Sequence, residues 1–178
     1  MRRADDYASR TMMKIEDEVS ENKNSKAKLD GLCKRRCVAV LDFENYYPSY
    51  NMNLPEYREE SRRWVSSQHP SWSPDQVEEE AMRTFNTSAR EFFEVLLWVG
   101  RELRPLAKWG YYHYPYCHNY GPDGKQCQEA VKQYNDEMSW LYGASGALYP
   151  SIYIFRDSGW TPRSRRRNAQ VKLWEALR

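Results

Sequence analysis

The sequence predicts an α/β fold made of parallel βαβ units, either doubly wound or closed as a barrel. Two observations carry this. Three short runs, 37–44, 109–115 and 147–155, have the apolar, β-branched or aromatic character of strands. Helical segments separate them, which gives the order α-β-α-α-β-α-β-α.

Residues 10–22 read as an amphipathic helix with Met12, Met13, Ile15 and Val19 facing inward, and 23–36 as a polar, basic connection. The run from Cys37 to Phe43 is continuously apolar before Glu44, apart from Asp42, and is expected to be a strand buried on both faces. Tyr46-Tyr47-Pro48 breaks it. Pro55 to Ser67 is helical and ends at His69-Pro70. Ser73 caps the next helix, with Pro74 at its first position and Asp75 and Glu78 in its first turn; Arg104-Pro105 ends it near Leu103. Trp109 to Pro115 is the second strand, Gln128 to Tyr142 one helix, Ala147 to Phe155 the third strand. Thr161-Pro162 opens a last helix that reaches the C-terminus. There is no internal repeat and no low-complexity tract.

The composition narrows the function. Lys plus Arg is 27 against 25 for Asp plus Glu, a net charge of +2, which argues against a nucleic-acid partner held by bulk charge. No apolar run is long enough to span a bilayer, and the first residues lack the apolar stretch of a secretory signal. Aromatic residues make up 15%, with 14 Tyr and 7 Trp, suited to cores and to concave sugar-binding sites.

Asp42 and Glu44 end the first strand, where sites lie in parallel α/β folds. Two residues apart on a strand, they point to one face. Neighbouring carboxylates in a low-dielectric site do not both ionise freely, so one is expected to retain a proton near neutral pH, as a glycosidase acid must. The alternatives are helix caps or a strand-end salt bridge. Tyr112 and Tyr153 fall near the ends of the other two strands, where they either hydrogen-bond a polar substrate or pack in the core.

Cys117 and Cys127 flank a turn-rich segment. Spacing leaves open a disulfide, which requires an oxidising compartment, or two free thiols. None of the four cysteines forms a Cys-x-x-Cys knuckle, which argues against zinc, and no metal is expected. Asn86-Thr87-Ser88 is an N-glycosylation acceptor, usable only if the chain is secreted.

These residues resemble the hyaluronidase family, glycoside hydrolase family 56. Val40-Leu41-Asp42-Phe43-Glu44 with Pro48 resembles its Asp-x-Glu signature. Gln68-His69-Pro70 with Trp72, Leu103-Arg104-Pro105, Trp109-Gly110-Tyr111-Tyr112 and Pro115-Tyr116-Cys117-His118-Asn119-Tyr120 follow in the family's order. So do Gln126-Cys127, Asn135-Asp136, Trp140-Leu141 and Ala147 to Tyr153. The resemblance covers residues 37–155 and, more weakly, the rest. It implies a portion of a distorted TIM-like (β/α) barrel with parallel strands, and endo-cleavage of hyaluronan, in some members chondroitin, at a β-1,4 bond. The implied mechanism is retaining and substrate-assisted: the substrate's acetamido oxygen attacks, Glu44 is general acid then base, and Asp42 holds the acetamido group. Tyr112 and Tyr153 carry over as substrate-positioning groups, and Cys117–Cys127 as a disulfide. A glycosaminoglycan partner, no cofactor, and a secreted or lysosomal location are implied.

The chain departs from the pattern in places. Tyr46-Tyr47-Pro48 stands where the family has Trp-Arg-Pro, removing a cation that would meet an anionic substrate. Tyr116 stands where an acid is frequent, and Lys172 where an arginine is. Cys33 and Cys37 have no counterpart. Arg163, Arg165, Arg166 and Arg167 form a basic cluster, either a solvated face or a polyanion attractor. On this reading 1–36 is an N-terminal helix and connection, and 37–178 part of a catalytic barrel that is about twice as long in the family. Three strands would leave apolar surface open. A fragment, or an inactive relative that at most binds glycosaminoglycan, is the alternative expectation.

Overall fold

A computed structural model describes residues 37–117, 126–153 and 159–178. The helix expected at 10–22 and Cys33 lie outside the described residues, as do 118–125 and 154–158.

Strand β1, Cys37–Leu41, leads through a 3-10 turn at Tyr50–Met52 into α1, Pro55–Gln68, and α2, Pro74–Leu103. The chain returns as β2, Ala107–Tyr111, followed by α3, Glu129–Glu137, α4, Ser139–Ala144, and α5, Pro162–Leu177. β1 and β2 are parallel, with Cys37 opposite Ala107 and Leu41 opposite Tyr111. The two-helix crossover is what a parallel pair requires.

The helix starts follow from their caps. Ser73 accepts from the Gln76 N–H while Gln76 reaches back to the Ser73 N–H, a complete capping box, with Pro74 just inside. Glu78 is therefore not part of the first turn as expected. It lies beyond it and instead takes Arg62 Nη1 of α1 at 3.2 Å. Thr161 caps α5 through the Ser164 N–H. At 30 residues α2 is about 45 Å long, and it supplies the floor of the sheet.

That floor explains the core. Phe93 and Leu97 of α2, Tyr111 of β2, and Met138 and Leu141 form one buried cluster with Tyr114. Leu41 and Phe43 pack against it. Tyr111 Oη donates to the Phe93 carbonyl at 3.0 Å, so its hydroxyl is satisfied inside the core. Tyr50, Val65, Val77 and Ala81 form a second cluster between α1 and α2.

Three expectations need correction. β1 is not buried on both faces: Val38 is 71% and Val40 45% exposed. The described helices pack against the odd-numbered side only, leaving the even-numbered side of β1 open. The third strand shortens to a single parallel bridge between Tyr112 and Tyr149, extended by His113 N–H to the Tyr149 carbonyl at 2.9 Å. Beyond that bond His113 turns away with φ 80°, and no further pairing follows among the described residues up to Tyr153. The helix expected over 128–142 divides at Met138, whose φ/ψ of −91°/13° lets both Met138 and Leu141 enter the core.

Candidate active site

The site begins where β1 ends. Tyr112 N–H donates to the Leu41 carbonyl at 2.8 Å, carrying the ladder one step past the strands. Along β1 the odd residues face α2. Val38, Val40, Asp42 and Glu44 alternate to the other side, and Asp42 and Glu44 are both exposed at its carboxyl end. On β2 the same side carries Lys108, Gly110 and Tyr112. Gly110 is obligatory: a Cβ there would stand 2.2 Å from the Ala147 carbonyl oxygen and 2.9 Å from the Tyr149 ring. Without it residues 147–149 could not lie beside β2, and the segment carrying Ser151 and Tyr153 would not reach the site.

Tyr112 Oη lies 2.9 Å from Ser151 Oγ, and its ring meets Tyr153 edge-on at 6.2 Å. Burial raises the Tyr112 pKa; the Ser151 hydrogen bond opposes that rise, and Tyr153 and the negative charge of Glu44 add to it. Tyr47 is raised in the same way, first by burial and then by Glu44. Glu44 thus sits within electrostatic reach of two tyrosines that stay protonated at neutral pH. The structure brings Glu44, Tyr112 and Tyr153 to one surface, with Asp42 two residues before Glu44 on the segment that follows the strand. Tyr153 is 69% exposed, so its ring presents a face to solvent rather than to the core. Such a group offers an accessible carboxyl to exchange protons, hydroxyls to donate hydrogen bonds, and a ring to stack on a sugar.

The loop after Glu44 is held by two asparagines. Asn53 accepts from the Tyr47 N–H at 3.1 Å and donates to the Tyr47 and Ser49 carbonyls. Asn86, the glycosylation candidate, is exposed on α2 and accepts from the Tyr50 N–H at 2.8 Å. Tyr46 packs among Tyr57, Phe85, Phe92 and Phe93, and burial, then Tyr57, pushes its pKa up to about 12.

Cys117 and Cys127 are joined, with Sγ–Sγ 2.00 Å, and pack on Val171 of α5. Asn135 fixes the segment before this bridge. It accepts from the Tyr116 N–H, donates to the Tyr116 carbonyl and to Glu175 at 2.8 Å, and accepts from Tyr142 Oη. Burial would raise Glu175, but hydrogen bonds from Arg178 and Asn135 prevail and hold it below the usual carboxylate range. Lys172 is buried on α5, which lowers its pKa. In the basic cluster Arg163 and Arg166 are exposed, and Arg165 and Arg167 half-buried, at the start of α5.

Sequence reasoning missed Ser151 and Tyr47 as members of the site. Ser151 was legible in principle, being two residues before Tyr153 and so on the same face of an extended segment. The approach of Tyr47 to Glu44 depends on the Asn53 turn, which has no local signature.

The sequence profile of the hyaluronidase family matches residues 13–178. A hyaluronidase from Apis mellifera is 40% identical over 122 residues, 66% of this chain and 32% of that protein. A chondroitin hydrolase from Caenorhabditis elegans is 35% identical over 148 residues, 79% of this chain and 32% of its own. The crystal structure of bee venom hyaluronidase in complex with a hyaluronic acid tetramer superposes with a TM-score of 0.70 at 36% identity, covering 79% of this chain and 44% of that one. The chain therefore spans from just under a third to just under a half of the length of these relatives.

Proposed function

The chain belongs to the hyaluronidase family, and from that premise we propose that it carries the acid/base centre of an endo-acting glycoside hydrolase cleaving β-1,4 bonds of hyaluronan. The fold is the corresponding part of the α/β barrel, with residues 37–178 as catalytic barrel. Glu44 is the general acid that protonates the leaving oxygen and then the base that activates water. The substrate's acetamido oxygen is the nucleophile, so the anomeric configuration is retained. Asp42 holds the acetamido group, and Tyr112 and Tyr153 position it and donate to developing charge.

The observation that carries this reading is the convergence of Glu44, Tyr112 and Tyr153 at the carboxyl end of a parallel strand pair. The relative solved with a hyaluronic acid tetramer supports a glycosaminoglycan substrate. The relative named as a chondroitin hydrolase supports chondroitin as a second one. The Cys117–Cys127 bridge supports an oxidising compartment, secreted or lysosomal. None of the described helices is long and apolar enough to cross a membrane.

Proton NMR of a hyaluronan digest tests the mechanism. The first-formed reducing ends are expected as the β anomer, relaxing later to the α/β mixture. First-formed α anomer, or a polymer of unchanged length, overturns the assignment.

A further inference from the structure

His113 follows Tyr112 directly and is the one non-glycine residue at positive φ among the described residues, at 80°. Glycine takes this conformation without steric cost, whereas a residue with a Cβ is strained there. A strained residue at a site rim calls for a reason beyond backbone geometry. Its N–H is fixed by the Tyr149 carbonyl. Its ring stands edge-on to Tyr112 at 5.5 Å and lies against Tyr116 at 4.7 Å, with an interplanar angle of 32°. Tyr116 in turn meets Tyr47 at 5.9 Å. The imidazole is thus the middle of a chain of rings, Tyr47–Tyr116–His113–Tyr112–Tyr153, of which Tyr47 and Tyr112 feel the charge of Glu44. It is half-buried, so part of the ring reaches solvent.

Among the described residues that touch Tyr112, namely Ser151, Tyr153 and His113, only His113 can carry positive charge. Lys108 is four residues back along β2, toward the other end of the sheet. Tyr116, packed on the imidazole, offers its ring face to a cation. We propose that His113 is a specificity-determining residue whose imidazolium binds a uronate carboxylate of the substrate beside Tyr112. This rests on the hyaluronan reading above and deepens it.

Histidine changes charge between about pH 5 and 8, whereas a uronate stays ionised across that range. Of the described titratable groups, Tyr112 and Tyr116 meet the His113 ring and the Tyr149 carbonyl takes its N–H, with Tyr47 and Tyr153 one ring further along the chain and Glu44 acting on Tyr47 and Tyr112. Burial raises Tyr47, Tyr112 and Tyr149, so these three remain neutral there. Glu44, the acid that acts on Tyr47 and Tyr112, is removed in the test.

Binding is measured by calorimetry in a Glu44→Gln background, which removes that carboxylate's titration and prevents cleavage. The probes are a hyaluronan hexasaccharide and its carboxyl-methylated ester, each at pH 5.0 and 7.5. Glu44→Gln is expected to bind the hexasaccharide about tenfold tighter at pH 5.0 than at 7.5, the scale of a charge-assisted hydrogen bond, and the ester equally at both. Adding His113→Asn, a residue that tolerates positive φ, is expected to give the weaker affinity at both pH values. His113→Gly is expected to do the same, and a melting curve confirms folding. The same pH dependence with and without His113 overturns this proposal alone. No binding of either probe at either pH overturns it together with the hyaluronan reading.

Discussion

Leu41 and Phe43 lie on one side of β1 and its extension, Asp42 and Glu44 on the other. The odd residues rest on Phe92, Phe93 and Tyr111, in a core where Phe93 has no exposure at all. The even residues Asp42 and Glu44 are exposed, and the charge of Glu44 acts on Tyr47 and Tyr112. Alternation along one extended segment thus divides the two sides: one parity holds the fold, the other is left exposed. Substitutions on the two sides should therefore separate stability from activity.

The largest effect is expected on the packed side. Phe93→Ala removes a fully buried ring beneath both strands and should cost about 3–5 kcal/mol, read as a lower denaturation midpoint. Activity of the fraction that remains folded should be retained. A loss below 1 kcal/mol would show that α2 is not the floor described. Next comes Tyr112→Phe, which removes one hydroxyl bonded to Ser151 and near Glu44. Hyaluronan turnover should fall about tenfold to a hundredfold, with the melting temperature shifting little. The smallest effect is expected at Val38→Thr on the open face, within about 0.5 kcal/mol of the parent. A loss of several kcal/mol there would mean that this face is covered in the working protein.

Much of this division was legible in the sequence. The caps at Ser73 and Thr161, the helix stop before Pro105, and the strand leading into Asp42 and Glu44 all have local signatures, and the structure keeps them, although the strand itself ends at Leu41. The open face of β1 was not legible, because a continuous apolar run reports only that a strand suits burial. Whether a layer lies over Val38 and Val40 is a tertiary matter. The third strand is reduced over residues 147–153 to one bridge at Tyr149, and the left-handed backbone of His113 opposite it has no signature in the sequence. Motif resemblance and strand-end position pointed to Glu44, Tyr112 and Tyr153 as candidates. The approach of Tyr47 and His113 to them was not legible, because their places depend on the Asn53 turn and on one residue's left-handed backbone.

The most direct measurement compares hyaluronan depolymerisation by the parent and by Glu44→Gln, alongside their melting curves. Glu44 belongs to the exposed parity, so the account predicts at least about a hundredfold loss of rate with an unchanged melting temperature. A variant that shortens hyaluronan as fast as the parent, or one that loses its fold, would contradict it.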